Sequence, residues 1–406
     1  MKIILSTILV VFLANLSLAQ DENKNWFQIY GFAMTDIGYN ANQIHPNWYD
    51  VVRPTQLPTM KNQYGTDGNA YFSARQSRLG VKSSTQTGLG ELFTQFEFEM
   101  FGTGVDAGQT TIRLRHAYGE LGQFGAGQYW SPFMDIDVFP NTVEYWGPNG
   151  MAFFRNVQFR WMPIKGDTRL TFALERPGAS ADGGTYSEIL QQQNIRSQFP
   201  LPDLSAEYRS AHDWGYVELA GIVRYMKWED QGTDNIDLSG DAIGWGLNLS
   251  SNVKFGKDNL VRLSVLYGAG VQNYMNDATV DVGIETTDDP EKPIKGVAIP
   301  LLGVVAFFEH NWSNKFSTAI GYSMLNMDNT NGQDFDAFKM GNYAVGNLIY
   351  YPVTDVMVAA EIQYGYRENF NNLDNDAAYP SEYLKTADIL KVQFSFKYNF
   401  SHKMFF

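Results

Sequence analysis

Apolar and polar residues alternate along most of this chain in short runs. Between Lys391 and Phe400, Val392, Phe394, Phe396, Tyr398 and Phe400 share one face, while Lys391, Gln393, Ser395, Lys397 and Asn399 share the other. Ile243, Trp245, Leu247 and Leu249 oppose Gly244, Gly246, Asn248 and Ser250 in the same way. A period of two residues belongs to a β-strand with one apolar face. Runs of this kind predict sixteen strands. The first eight lie near 26–39, 70–83, 89–101, 110–121, 123–130, 152–162, 167–176 and 203–211. The others lie near 215–228, 241–254, 259–273, 297–311, 315–327, 338–351, 355–368 and 387–403.

The connections alternate long and short. Long ones cover 40–69, 102–109, 131–151, 177–202, 229–240, 274–296, 328–337 and 369–386. Tight turns fall around Thr87-Gly88, Gly122, Gly166, Asp213, Gly256, Ser313 and Pro352. An even number of strands with long loops at one end and short turns at the other describes an all-β, up-and-down transmembrane antiparallel barrel of the outer-membrane type. A large soluble β-sandwich would show the same alternation but not this loop asymmetry. A propeller would repeat every 40–50 residues or so, and no such repeat is present.

One stretch breaks the pattern. Trp130–Phe154 (WSPFMDIDVFPNTVEYWGPNGMAFF) mixes prolines and aromatics with three acids, Asp135, Asp137 and Glu144. It is too apolar for a solvated loop and too irregular for a strand, so it needs a protected interior.

Composition narrows the class. Aromatics make up 15%, charged residues only 18%, and there are 37 glycines, as expected of many short strands with glycine turns. The net charge of −14 argues against a nucleic-acid partner, which requires a basic face. There is no cysteine, hence no disulfide framework and no lipidated cysteine. Lys2, the apolar run Ile3–Ala14 and Ser17-Leu18-Ala19 read as a signal peptide over 1–19, followed by one barrel domain over 20–406. The chain ends on Phe406 after a strand of alternating aromatics, which resembles the recognition signal for outer-membrane barrel assembly.

Gln76-Ser77-Arg78-Leu79-Gly80-Val81-Lys82 followed by Gly88-Leu89-Gly90-Glu91-Leu92 resembles the start of bacterial porins. Arg113–Gly119, Gly127–Asp135 and Pro140–Pro148 are similar to the DcaP-like porin family of outer-membrane proteins. The resemblance is specific over roughly 70–165 and carried by pattern elsewhere. It implies a sixteen-stranded homotrimeric diffusion porin of a Gram-negative outer membrane, in contact with lipid and lipopolysaccharide. It also implies passage of small hydrophilic solutes, favouring small organic anions such as dicarboxylates. Relatives can carry a periplasmic helical segment before the barrel, and here only Gln20–Asn25 precedes the first strand.

In sixteen-stranded porins the third loop folds into the lumen, and the resemblance implies the same for 131–151. Its aromatics would pack on the wall, and Asp135, Asp137 and Glu144 would point at the water path. Eight of fourteen arginines lie between Arg75 and Arg176, and rings of arginine select anions in pores. Strand parity points Arg78, Arg113, Arg115, Arg160 and Arg169 into the lumen and turns His116 outward. Arg155 and Arg176 also fall on the outward parity, near the loop end. The 102–109 hairpin sets Glu99 opposite Arg113 and Glu97 opposite Arg115, so these glutamates could serve only as counter-charges within the wall. The acid-rich stretches Asp277–Glu291 and Asp328–Asp336 read as solvated outer loops, with divalent cations bridging them to lipopolysaccharide as the lesser alternative.

Other classes fit less well. His45, His116, His212, His310 and His402 belong to no recognisable nucleophile or metal motif, so no cofactor, metal or catalytic residue is expected. A TonB-dependent transporter would need a plug domain before the first strand. A lipid-hydrolysing or adhesive barrel without an open pore is the remaining alternative.

Overall fold

The computed structural model describes residues 25–187, 194–372 and 379–406; the signal-peptide expectation lies outside them. Its strands are β1 (Trp26–Asn40), β2 (Asn69–Ser73), β3 (Arg78–Thr87), β4 (Gly90–Glu99), β5 (Arg113–Leu121), β6 (Phe124–Trp130) and β7 (Arg155–Ile164). They continue with β8 (Arg169–Glu175), β9 (Ile195–Gln198), β10 (Asp203–His212), β11 (Gly215–Asp230), β12 (Gly240–Phe255) and β13 (Asn259–Ala269). The last are β14 (Val282–Thr286), β15 (Ile294–Ala298), β16 (Pro300–Ser313), β17 (Phe316–Met327), β18 (Phe338–Tyr350), β19 (Val356–Asn369) and β20 (Thr386–Phe405). β2 and β3 are two pieces of one stave, and β9 prolongs the stave of β10 against β11. β14 and β15 form a separate hairpin in the connection between β13 and β16.

Sixteen staves remain, each antiparallel to its neighbour. The barrel closes where β1 pairs β20 over its whole length, from Trp26 opposite Phe405 to Asn40 opposite Lys391. Closure removes the free edges that an open sheet would present to lipid. The predicted tight turns all join neighbouring staves. The predicted strand 70–83 is broken at residues 74–77, and 259–273 ends at Ala269.

Exposure is inverted relative to a soluble protein. Ile243, Leu247, Leu249 and Phe394 are more than half exposed, while Lys391, Gln393 and Ser395 are fully buried. The apolar face points outward and the polar face inward, as a barrel wall in lipid requires.

Two parity expectations fail, for one local reason. Between β4 and β5 the register shifts at Glu97/Phe98, so Glu99 faces Arg113 but Glu97 faces His116, not Arg115. Arg115 is the extra residue of a β-bulge, which reverses the alternation beyond it. Both Arg115 and His116 are consequently buried, at 4% and 3% exposure. Arg155 also departs from its outward parity. It is the first residue of β7, where the pleat is weakly enforced, and its guanidinium turns to within 3.7 Å of Glu99.

Candidate functional site

Residues 131–154 connect β6 to β7, and the stretch 131–151 contributes to four buried apolar clusters. Phe133 and Met134 pack with Leu266, Tyr274 and Leu325; Val138 and Met151 with Val305 and Tyr343. Val143 packs with Met34 and Ile349, and Tyr145 and Trp146 with Trp48 and Phe101. Close approach is enabled by glycine. A Cβ on Gly150 would lie 2.1 Å from the Met324 carbonyl oxygen, and one on Gly303 would lie 2.2 Å from that of Gly150.

The loop's acids bind it to buried faces of the strands. Asp135 is fully buried and accepts from Arg209 Nη2 at 2.6 Å, Tyr216 Oη at 2.6 Å and Ser250 Oγ at 2.7 Å. It also caps its own turn, accepting from the Asp137 N–H at 3.0 Å. Asp137 takes Arg209 Nη1 at 2.5 Å with its side chain 48% exposed. Glu144 is buried and accepts from the N–H groups of Val52 at 3.0 Å and Gly147 at 2.6 Å. Burial pushes the Glu144 carboxyl up to about 7, against the opposing pull of Lys391 and these N–H donors. Glu361 of β19 accepts from the N–H groups of Val143 and Glu144 at 2.8 and 3.0 Å. Of the three acids expected at the water path, only Asp137 is substantially exposed. The other two satisfy donors that burial would otherwise leave costly and unpaired.

The expected arginines divide into groups. Around Glu97 and Glu99 stand four. Arg115 donates to both carboxylates at 2.5 and 2.6 Å. Arg78 lies 3.6 and 3.3 Å from them, and Arg113 and Arg155 each lie 3.7 Å from Glu99. Tyr145 Oη also donates to Glu99. Four guanidiniums thus share two carboxylates, and Arg155 Nη1 is buried with no hydrogen-bond partner. Arg160 donates to Gln158 Oε1 and the Trp130 carbonyl, without an ion pair within 4.0 Å among the described residues. Arg169 belongs elsewhere, 3.2 Å from Glu207 and 2.7 Å from Glu218.

A cavity of about 520 Å³ opens between the loops beside the first group. Arg113, Arg155 and Arg176 line it together with Tyr145, Trp146 and Phe153. Arg53 also reaches it, but is stacked between Trp48 and Trp146, at 4.3 and 4.0 Å, and neutralised by Asp277 at 2.8 Å. Cationic and aromatic walls together suit a small anion with an apolar body. Among the described residues no group of His, Asp and Glu is placed to hold a metal ion.

A family model for DcaP outer membrane proteins matches residues 18–379 of this chain. The chain belongs to the DcaP outer membrane protein family. It is therefore an outer-membrane channel protein of the porin type. Among solved structures it is similar to the outer membrane channel DcaP of Acinetobacter baumannii, with a TM-score of 0.74 and 19% identity over 95% of this chain and 100% of that one. It also shares its fold with an anion-selective porin from Comamonas acidovorans, with a TM-score of 0.57 and 11% identity over 93% and 100%. The trimer form of OmpT from Vibrio cholerae gives a TM-score of 0.57 and 12% identity over 93% and 100%. No curated protein sequence matches the chain.

Within this family member, sequence reasoning missed an arginine that grips the acids of the loop. Arg209 holds both Asp135 and Asp137 and also donates to Glu218 at 2.7 Å. It shares parity with Ser205 and Glu207, but nothing in the sequence joins it to an acid 74 residues away. Glu361 and Ser250 were missed for the same reason.

Proposed function

We propose that this DcaP-family protein is a diffusion porin for small hydrophilic solutes that favours small organic anions such as dicarboxylates. The carrying observation is the imbalance at Glu97 and Glu99, where Arg78, Arg113, Arg115 and Arg155 exceed the carboxylates by two charges. Arginine in a partly desolvated channel attracts carboxylates directly and binds them through paired N–H groups. Loop 131–151 is read as the constriction, supported by its contacts with the buried faces of staves as far apart as β10 and β19. A homotrimer embedded in lipid and lipopolysaccharide is the assembly this reading carries, and one fold relative is described in a trimer form.

Planar bilayer recording tests the reading. Stepwise conductance with a reversal potential on the anion side is expected under a salt gradient, and steps in threes if the trimer inserts whole. A cation-side potential would refute the preference. A lipid-hydrolysing or adhesive barrel would give no steps, and lipid hydrolysis by the purified protein would favour the first of these.

A further inference from the structure

The inner face of β20 changes character partway along the strand. Lys391, Gln393 and Ser395 are fully buried, with Lys391 and Gln393 donating to the loop carbonyls of Asp50 and Val143. From Lys397 onward the same face opens: Lys397 is partly buried, and Asn399, Ser401 and Lys403 are exposed. The strand leaves the loop-filled half of the barrel there and runs on to the turn end, which faces the periplasm in barrels of this type.

Over this open half, cations lie against the rings of β1, which stands between β3 and β20. Phe32 has the Arg78 guanidinium of β3 at 5.2 Å from its ring centre and the Lys397 ammonium of β20 at 4.0 Å. Nearer the turn end, the Lys82 ammonium of β3 stands 5.2 Å from the centre of the Tyr30 ring. Last in the row, Lys403 stands 4.0 Å from Trp26. Phe32, Tyr30 and Trp26 share one strand parity, so the row extends about 20 Å along the wall. Arg78 at its head also belongs to the group around Glu97 and Glu99, so the row begins where that basic cluster ends.

These lysines are set apart by the lack of acids. Among the described residues, Lys82, Lys397 and Lys403 have no carboxylate within 4.0 Å. Arg262 and Lys165, nearer other turns, each have one at 2.6 Å. Tyr30 is itself held in place, donating to Glu97 at 2.8 Å and accepting from Gln95 at 2.7 Å. An aromatic ring attracts an ammonium through its quadrupole but leaves the charge uncancelled. Lysines held this way attract anions in a pore, and the rings beside them offer apolar surface. An inorganic anion uses only the charge, whereas an organic carboxylate uses both. We propose that Lys82, Lys397 and Lys403, with Phe32, Tyr30 and Trp26, form a second anion-binding stretch for small organic carboxylates between the constriction and the periplasm. The inference rests on the proposed preference for organic anions and adds where they are held beyond the arginine cluster.

Block of potassium chloride current by benzoate and by acetate, in planar bilayers, tests the assignment. Benzoate should block the unaltered channel at a lower concentration than acetate. Lys82→Gln with Lys397→Gln should raise both half-blocking concentrations about threefold, and Lys82→Arg with Lys397→Arg should restore them. Phe32→Leu should weaken block by benzoate alone. Stepwise conductance would verify that each variant is folded and inserted. A glutamine pair that leaves both blocks unchanged, in a channel whose reversal potential stays on the anion side, would overturn the inference and leave the anion preference standing. Equal block by the two anions in the unaltered channel would overturn it in favour of a purely electrostatic row. A cation-side reversal potential in the unaltered channel would overturn the proposed preference and this inference with it.

Discussion

Two charge clusters use the same residue types with opposite balance. At β3–β5 and the start of β7, Arg78, Arg113, Arg115 and Arg155 surround Glu97 and Glu99. At β8–β11 and the loop, Arg169 and Arg209 meet Asp135, Asp137, Glu207 and Glu218. The first has two arginines in excess and the second two carboxylates in excess. Loop acids that looked like the negative side of a pore field are therefore largely spent on holding the loop, mostly through Arg209. The positive excess lies at the other cluster, beside the 520 Å³ cavity.

The comparison breaks most visibly at Arg209. Its removal leaves Asp135 buried beside Tyr216 and Ser250 with its principal cation gone, a change that typically costs about 3–5 kcal/mol. Arg209→Ala should lower the unfolding midpoint in detergent and widen the channel, raising single-channel conductance. An unchanged conductance would show that this anchor does not hold the constriction.

Charge reversal separates the two clusters functionally. Arg113→Glu turns the first cluster's excess from two positive charges to none, since one cation leaves and one carboxylate arrives. The reversal potential should move toward the cation side, with little change in folding because Arg113 is 30% exposed and 3.7 Å from its partner. Arg160→Glu should act in the same direction. Ion preference indifferent to both substitutions would sink the arginine-wall reading.

Asp137→Asn sharpens the contrast on a smaller scale. Its carboxylate is half exposed, so stability should fall by no more than about 1 kcal/mol. Removal of a charge from the acidic cluster should still increase anion preference in the same recordings.

The smallest effect concerns pH. Burial raises the folded-state pKa of Glu144 to about 7, above its unfolded value. The folded state therefore holds this proton more tightly, and the stabilisation it contributes is present at low pH and lost as pH rises through about 7. The unfolding midpoint should decline across that window, and Glu144→Gln should flatten the slope.

Much of the wall was legible because a membrane barrel writes itself in a period of two. Each residue's side follows from its neighbours, so Arg78, Arg113, Arg160 and Arg169 could be assigned to the polar face from the sequence. His116 and Arg155 escaped this rule. A one-residue bulge reverses parity without leaving a mark in composition, and a strand's first residue is free to turn toward a carboxylate. The site was less legible than the wall, since each anchoring contact joins residues far apart in sequence.

Strand number, loop asymmetry, the polar inner face and the unusual stretch 131–151 were determined by the sequence itself, since each is a matter of local periodicity. Only the tertiary structure decided which arginine meets which acid, and that Asp135 and Glu144 are buried anchors. Ion pairing depends on register around a closed barrel. A register is a relation between segments, and no single segment carries it.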